Sequence, residues 1–470
     1  MARGYAVSRP LHYARDSRRS SSSRPTGTGY PHTTSGTRTQ KRRYSNPGVL
    51  MSALDLNRLQ NLVNGTGVAF RVRQRLQPAG GPGDKVFPPT YATGDRTLKY
   101  AVEERRFDGA DVKCVLLDSV ASQANRMEEA LQDAWEQGSL DFPVISVDFS
   151  GIVGLEDLGR ITALQAPHRI ADAILRDATD LTGTTLFRDL PEGRAYTNAT
   201  TKNATAVFQL CPTALVFGVW DSTGPKGGLG AKFQRALTAE IVAIGAQEGK
   251  KVSSRLDPLG IQANVPLYAR KGNHDDWTIE PAEAELDKGK PALFVRGKAD
   301  GKGKPSAANH SNIPPNIDTF AGGITFDYAV QTAVLSLPAL RRLRFTTALD
   351  GTPLANRAAA ESAARVALAS LGLAAIVHQR MRGFDLRSRS LLVPEGPLAI
   401  ELLNGDGSAE PVTLDLNAAN ALVREAAAAA ASAGLAWTRE PVRLVPAPKL
   451  SMLVKKSREE AAKGGTEEAT

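Results

Sequence analysis

A run of closely spaced glycines after an apolar stretch is the feature that most constrains how this chain can fold. Residues 215–235 read LVFGVWDSTGPKGGLGAKFQR, and Gly224, Gly227, Gly228 and Gly230 fall within seven positions. The apolar residues before the loop have the composition of a buried strand, and the residues after it place apolar side chains at helical spacing. The sequence therefore predicts a strand, a glycine-rich loop and a helix, in which backbone N–H groups can approach a phosphate.

This loop matches neither of two common nucleotide-binding motifs. A P-loop requires a lysine directly after its last glycine and then Ser or Thr for Mg²⁺, but Gly230 is followed by the residues AKF. The dinucleotide fingerprint also fails, because Phe233 stands where its third glycine belongs. Lys226, Lys232 and Arg235 surround the loop. Two interpretations stay open: a loop that binds phosphate groups, or a tight structural turn with incidental lysines.

The net positive charge is confined to the first fifty residues. The chain holds 58 Lys and Arg against 49 Asp and Glu, a formal net charge of +9. Residues 1–50 hold ten of these bases and one acid, which leaves 48 of each in residues 51–470. Segment 1–50 is rich in Ser, Gly and Arg, a composition that predicts disorder. It is either a basic arm that attracts nucleic acid or sequence upstream of a start at Met51.

Composition also excludes several classes of protein. The 470 residues, 42% of them hydrophobic, suffice for one large domain or for two to three ordinary ones. No apolar run approaches the roughly 18 residues of a membrane span, and the N-terminus lacks the apolar core of a signal peptide. Cys114 and Cys211 are the only cysteines, too few for a disulfide framework or a cysteine-rich zinc site. We expect a cytoplasmic protein that does not contact a membrane.

Helices and strands are predicted in an irregular order, which favours an α+β fold over a doubly wound sheet. The predicted helices are residues 52–63, 119–136, 169–177, 233–244, 355–373 and 418–433. The predicted strands are residues 67–76, 112–117, 205–210, 215–220, 322–328, 334–337, 390–393 and 398–403. Residues 268–315 are polar and weakly patterned, as in a functional insertion or a disordered loop. The charged tail, residues 451–470, is predicted to be disordered.

No group of residues makes a convincing active site. The sequence His274-Asp275-Asp276 resembles a metal-dependent phosphohydrolase dipeptide, but such a site needs further ligands, and a solvated loop is the better interpretation. His168 is placed to begin a helix rather than to act as a base. No serine or cysteine lies on a strand-to-helix elbow of the hydrolase type.

Two polar groups are suited to phosphate and sugar contacts. Residues 119–126, SVASQANR, begin a predicted helix with Ser122, Asn125 and Arg126 facing outward, although an ordinary solvated helix face has the same pattern. A second group consists of Arg341, Arg342 and Arg344. These three arginines either line a groove that binds a nucleic-acid backbone or cap the edge of a sheet.

Five long segments, in this order, resemble a known family. They read LLDSVASQANRMEEAL, APHRIADAILRD, CPTALVFGVWDSTGPKGGLGAKFQRAL, SSRLDPLGI and LSLPALRRLRF. Together they closely resemble the backbone RAMP subunits of type I-U (now I-G) CRISPR Cascade complexes. The resemblance runs from about residue 55 to about residue 446, and the glycine-rich segment is its most specific part.

The resemblance implies an RRM-like (ferredoxin-like) RAMP core with large insertions over residues 51–450, and residues 268–315 are then a possible thumb. It implies a non-catalytic, CRISPR RNA-binding subunit in a cytoplasmic ribonucleoprotein for antiviral defence. The implied partners are CRISPR RNA, further copies of the chain along that RNA, other Cascade subunits and target DNA through the guide. No cofactor or metal is implied. The RRM aromatic motif is not visible, so RNA recognition is expected through the backbone and without sequence preference.

The RNA-binding residues that this reading assigns are Ser119, Gln123, Asn125, Arg126, Gly224, Lys226, Gly227, Gly228, Gly230, Lys232, Arg235, Arg341, Arg342 and Arg344. Two other functions stay open from the residues. One is a RAMP-type endoribonuclease that processes CRISPR RNA with a histidine such as His168 as general base. The other is an enzyme that binds a nucleotide through the glycine-rich loop.

Overall fold

The structure, a computed structural model, describes residues 52–92, 94–95, 97–224, 230–296, 301–438 and 441–462. All of them lie within one compact unit, Leu50–Thr470. A separate unit, Met1–Val49, and with it the predicted basic arm, lies outside the described residues.

The α-helices are α1 Leu56–Asn64, α2 Val120–Glu136, α3 Ala173–Arg176, α4 Pro191–Thr197, α5 Thr205–Leu210, α6 Thr213–Phe217, α7 Leu337–Arg341, α8 Arg357–Arg382, α9 Leu416–Ser432 and α10 Pro448–Ala462. The strands as far as β12 are β1 Ser52–Ala53, β2 Gly67–Pro78, β3 Val102–Phe107, β4 Ala110–Asp118, β5 Ser146–Asp148, β6 Arg160–Thr162, β7 Ala178–Thr179, β8 Val219–Trp220, β9 Lys232–Phe233, β10 Leu237–Ile244, β11 Gln247–Glu248 and β12 Lys251–Arg255. The remaining strands are β13 Tyr268–Arg270, β14 Asn273–Thr278, β15 Leu286–Asp287, β16 Lys290–Pro291, β17 Ile313–Asp318, β18 Ile324–Thr325, β19 Tyr328–Ser336, β20 Phe384–Asp385, β21 Leu391–Pro394, β22 Ile400–Asn404, β23 Ala409–Thr413 and β24 Arg443–Pro446. Short 3₁₀ helices cover Glu156–Leu158, Arg169–Ala171, Phe187–Asp189, Pro281–Glu283 and Pro305–Ala308.

The centre of the main sheet has the strand order of the ferredoxin-like fold. Strands β2, β10, β19 and β22 follow each other along the chain and lie in the sheet as β22, β2, β19, β10, with every neighbouring pair antiparallel. The fourth strand is thus beside the first, and the third lies between the first and the second, as expected for a β-α-β-β-α-β unit. Helix α8 connects the third strand to the fourth. The predicted α+β class with an RRM-like core is confirmed, although an extra hairpin, β3–β4, precedes α2 and extends the sheet beyond β10.

Helix α8 is the central helix of the hydrophobic core. It is the one helix of the described residues long and apolar enough to cross a membrane, and 89% of its most apolar stretch is buried inside the protein. It contacts α1, α2, α9 and β19. Its many alanines, together with Gly372 against Leu335, let these neighbours approach closely and fill the interior densely.

The residues before the glycine-rich loop are helical, which corrects the sequence prediction. Residues 205–210 and 215–220 were predicted as strands, but residues 205–210 form α5 and residues 215–217 form the end of α6, before the short strand β8. All residues of both helices are buried. A short run that is apolar on every side fits a buried helix as well as a buried strand, so its pattern does not distinguish the two.

The residues after the loop form a strand, and the predicted helix over residues 233–244 is wrong. Strand β10 lies between β4 and β19, and its last four residues are all buried. Burial on both faces removes the alternation that marks a strand, so the apolar spacing resembled that of a helix. Glu240, which a helix would have placed in its apolar arc, instead pairs with Arg105 across the sheet at 2.6 Å.

The polar insertion is folded and wider than its composition indicated. It lies between the second and third strands of the core and contains a ribbon, β12–β17, and two hairpins, β13–β14 and β15–β16. Leu267, Phe294 and Ala307 form a small core of its own. At its base Gly249 donates a hydrogen bond to the carbonyl of Gly323 (2.8 Å), and Gly249 and Gly322 approach so closely that a Cβ on Gly322 would meet backbone atoms. Its role as a thumb stays a prediction.

The tail is ordered further than predicted. Helix α10 covers Pro448–Ala462, so the prediction of disorder from residue 451 is wrong for residues 451–462. Leu450 and Val454 pack against the main core. Arg458 forms a two-bond ion pair with Asp157 at 2.8 Å. These contacts could not be predicted from the charged composition of the tail, because long charged side chains can also pack along apolar surface.

Candidate nucleic-acid interface

A cleft of about 1200 Å³ opens beside strands β8 and β9, and its lining is cationic. The basic side chains along it are Arg169, Arg176, Lys232, Arg235 and Arg342. None of the described residues that line this cleft is an aspartate or a glutamate. A concave surface with charge of one sign focuses its field and attracts ligands of the opposite sign. The cleft is therefore suited to a polyanion.

One wall is the two-stranded ribbon β8–β9. Trp220 lies directly opposite Lys232 in the register, and the Lys232 ammonium is 4.7 Å from the centre of the Trp220 ring. The ribbon is anchored behind Trp220 by the buried Asp221, whose carboxylate pairs with Arg188 at 2.9 Å. The predicted contact Lys232 thus lies in the cleft on a firmly held strand.

The glycine-rich loop joins these two strands as a hairpin connection. The described residues after it form strand β9 rather than a helix, so the predicted helix N-terminus is not among them. Gly224 lies against the Asp221 and Arg188 side chains, where a Cβ would clash, and Gly230 precedes β9. The predicted contacts Lys226, Gly227 and Gly228 lie outside the described residues.

The rear wall is a buried ion pair. Arg169 donates to both carboxylate oxygens of Glu128 at 2.6 Å and to the carbonyl of Gly218 at 3.0 Å. Burial raises the pKa of Glu128 to about 7, against the opposing charge and hydrogen bonds of Arg169. The pair fixes Gly218, whose positive φ of 86° turns the chain from α6 into β8. It positions the ribbon rather than offering a free charge.

Arg235 lies beside that pair with part of its guanidinium free. Its Nε donates to the carbonyl of Phe217 at 3.1 Å. Burial, and next the neighbouring positive charge of Arg169, lower the pKa of Arg235. Two cations that disfavour each other in a partly buried place are stabilised when an anion binds between them. Arg235 thus has the surroundings of a phosphate contact, and its role in RNA binding stays a prediction.

The arginine cluster after β19 divides into three roles. Arg342 is exposed and lines the cleft, and its side chain forms no hydrogen bond or ion pair with another described residue. Arg341 instead donates to the carbonyls of Leu62, Val63 and Gly67. Arg344 pairs with the buried Glu361 at 2.9 Å. Only Arg342 fits the predicted groove, and Arg341 caps the first helix and the sheet.

The helix start at residues 119–126 is mostly structural. Ser119 caps α2 by accepting from the Ser122 N–H. Gln123 is fully buried and bonded to Asp118, Gln331 and Gln379, so its prediction as an RNA contact is wrong. Arg126 was predicted to face outward, but its guanidinium pairs with Asp118 at 2.9 Å.

Asn125 is the member of this group that the structure brings to the cleft, where it is exposed. Arg126 also donates to the carbonyls of Asp385 and Leu386, which leaves its guanidinium occupied inside the protein. Alternation of polar and apolar residues could not reveal this, because the partners of Gln123 and Arg126 come from distant strands and helices.

Among the lining residues that the sequence did not assign to RNA binding are Arg176, His168 and Trp220. Arg176 donates to Asp177 and to the Thr223 hydroxyl at 3.3 Å. His168 is exposed at the cleft. Trp220 is 54% exposed. The exposure of Trp220 follows from alternation along a strand, which turns the residue between two buried neighbours, here Val219 and Asp221, outward.

The segment that resembles a phosphohydrolase dipeptide gathers no further metal ligands among the described residues. Asp276 lies on β14 and pairs with Arg270 at 2.7 Å. Among the residues that the structure describes, no three His, Cys, Asp or Glu side chains are grouped as a metal site would require.

Comparison with protein families gives a match over the region that contains the cleft. Residues 70–248 match the family described as CRISPR-associated protein GSU0053, and this span contains three of the five family-like segments, including the glycine-rich one. The matched span is thus similar to a CRISPR-associated family. This match supports the resemblance to the backbone RAMP subunits of type I-U Cascade complexes. The cleft is built largely from the matched span.

Comparison with other proteins adds little to this match. The crystal structure of Thermofilum pendens Csc2 matches with 12% identity over 84% of this chain and 77% of that one, at a TM-score of 0.26. That score is too low to establish a shared arrangement, so the RRM-like core rests on the strand order above. No curated protein matches the sequence.

Proposed function

We propose that this Cascade subunit is non-catalytic and holds CRISPR RNA by its phosphate backbone in the cationic cleft, so that the guide can pair with target DNA. The observation that carries the proposal is the cleft's lining, which combines three exposed basic side chains, Lys232, Arg235 and Arg342, with no carboxylate among its described residues. Outside the first fifty residues the chain has no net charge, so affinity for RNA must come from such a local cluster.

Backbone contacts make this binding independent of sequence. Arginine and lysine recognise phosphate oxygens, which are the same at every nucleotide. Sequence is then read by base pairing between guide and target, as in RNA-guided effectors generally. Copies of the subunit along one RNA, the other Cascade subunits and target DNA bound through the guide complete the proposed set of partners, in the cytoplasm.

The cleft predicts how RNA binding depends on salt. The double variant Lys232→Ala/Arg342→Ala should bind single-stranded RNA more weakly, and the slope of log affinity against log salt should fall by about one to two, because each phosphate contact on a single strand contributes about 0.7. Fluorescence anisotropy at several salt concentrations measures both quantities.

A matched control removes two charges elsewhere. Arg106 and Lys113 lie on the β3–β4 hairpin, where they pair with Asp111 and Glu248. The variant Arg106→Ala/Lys113→Ala should leave the slope unchanged. If the control loses the slope and the cleft variant keeps it, the RNA lies near this hairpin and the proposal is wrong.

Processing of CRISPR RNA is the second candidate, because His168 lies in the same cleft. A general base must come within hydrogen-bond distance of the proton that it removes. Under the main proposal, repeat-containing RNA stays intact during incubation with the purified protein. Cleavage that disappears in His168→Ala would establish the endoribonuclease instead.

A further inference from the structure

We infer that Trp220 is a stacking platform for one base of the bound RNA, next to the cations that hold the backbone. The inference rests on the proposed RNA-binding function and deepens it. It assigns an aromatic contact to a chain in which the usual RRM aromatic motif is not visible.

The geometry leaves one ring face of Trp220 available. Lys232 covers one face, with its ammonium 4.7 Å from the ring centre. The side chain is nevertheless 54% exposed, about what a ring covered on one side retains. Trp220 lines the cleft together with Arg176, Arg235 and Arg342. An aromatic ring and several phosphate-binding groups therefore open into the same space.

The ring is also held in place before any ligand binds. Its strand is paired with β9, and the backbone N–H of Asp221 donates to the carbonyl of Ala231 at 2.9 Å. The neighbours of Trp220 on both sides, Val219 and Asp221, are buried. Stacking on a fixed ring costs little conformational entropy, because few side-chain rotations have to be frozen on binding.

A nucleic acid is the ligand that fits both features at once. Every base has a π-face, so base–aromatic stacking tolerates any sequence, and the phosphate of the same nucleotide suits the cations beside the ring. The ammonium on the opposite ring face remains compatible with stacking, since a cation over a tryptophan is itself favourable. A polyanion without bases would use the cations alone.

The test compares RNA with inorganic polyphosphate of similar length. Trp220→Ala should bind RNA about 5- to 150-fold more weakly, with an unchanged salt slope, because no charge is removed. Its affinity for polyphosphate should stay as in the wild type. Trp220→Phe should retain most of the RNA affinity. Trp277→Ala, which removes a half-exposed tryptophan of the insertion, is the matched control and should change neither affinity.

Tryptophan fluorescence gives a second measurement that does not depend on the alanine variant. RNA should quench emission in the wild type and in Trp277→Phe, and the quenching should be largely lost in Trp220→Phe. Wild-type RNA affinity in Trp220→Ala would overturn the stacking assignment, and so would an equal loss for RNA and polyphosphate, which would mean that Trp220 only positions Lys232. If instead Lys232→Ala/Arg342→Ala leaves RNA binding unchanged, the proposed cleft function itself fails.

Discussion

Arg169→Met should lower the free energy of unfolding by about 3–5 kcal/mol, because it leaves the Glu128 carboxylate buried without its partner. Both side chains are almost completely inaccessible, and Arg169 makes two bonds to Glu128 and one to Gly218. The backbone of Arg169 also has a positive φ of 54°, so the rest of the fold already holds this residue in a costly conformation.

Denaturant unfolding followed by circular dichroism measures this effect. Arg176→Met is the matched control, since Arg176 is a more exposed arginine of the same cleft whose pair with Asp177 is partly solvated, and it should cost at most about 1 kcal/mol. The double variant Glu128→Leu/Arg169→Met should be more stable than Arg169→Met, because no isolated charge remains buried. Equal losses from Arg169→Met and Arg176→Met would refute the structural role of the pair.

Glu361→Ala should also cost about 3–5 kcal/mol, because three arginines lose their shared acceptor. Arg344, Arg357 and Arg365 each bond to the Glu361 carboxylate at 2.9 Å. Arg365 is the most buried of the three, and its remaining bonds go to the carbonyl of Leu343. Glu401→Ala, which removes the partly exposed partner of Arg71, is the control, with an expected cost of at most about 1 kcal/mol.

The same carboxylate makes stability depend on pH. Burial alone would raise the pKa of Glu361, but hydrogen bonds from Arg344 and Arg357 and the charge of Arg365 outweigh it and lower that pKa from 4.5. The folded state therefore holds the ionised form more strongly than the unfolded state does. The contribution is fully present above about pH 4.5 and is lost as the pH falls through the folded-state pKa. The stability difference between the wild type and Glu361→Gln should accordingly shrink on acidification, and a difference that grows would contradict this arrangement.

The sequence predicted long, patterned elements well and short buried ones poorly. Helices α2 and α9 and strands β2 and β4 appear near their expected bounds, and α8 begins near its expected start but extends to Arg382 instead of residue 373. Each is long enough for its apolar spacing to repeat. The region around the glycine-rich loop was predicted in the wrong secondary structure on both sides. There the runs are short, and α5, α6 and the last four residues of β10 are completely buried, so tertiary contacts rather than periodicity decide their form.

The side chains of the candidate site were also predicted correctly in some cases and not in others. Lys232, Arg235, Arg342 and Asn125 were assigned from sequence and meet in one cleft. Gln123, Arg126 and Arg341 have the same polar character but are used inside the protein. Composition does not distinguish these cases, because what differs is whether a distant carboxylate or carbonyl lies within bonding distance in the fold.

The closed base of the insertion bears on how this chain reaches its folded state. Pairing of β10 with β19 joins strands that are far apart in sequence, a slow kind of contact to form. The pairing of β10 with β19 continues through β11–β18 to the Gly249–Gly323 hydrogen bond. The hairpins and small core of the insertion can therefore assemble locally, which brings the end of β10 and the start of β19 together before the two strands pair. Because doubling the length of a loop costs only about 0.6 kcal/mol in closure entropy, a segment attached at so narrow a base is free to lengthen or shorten during evolution while the four-stranded core keeps its register.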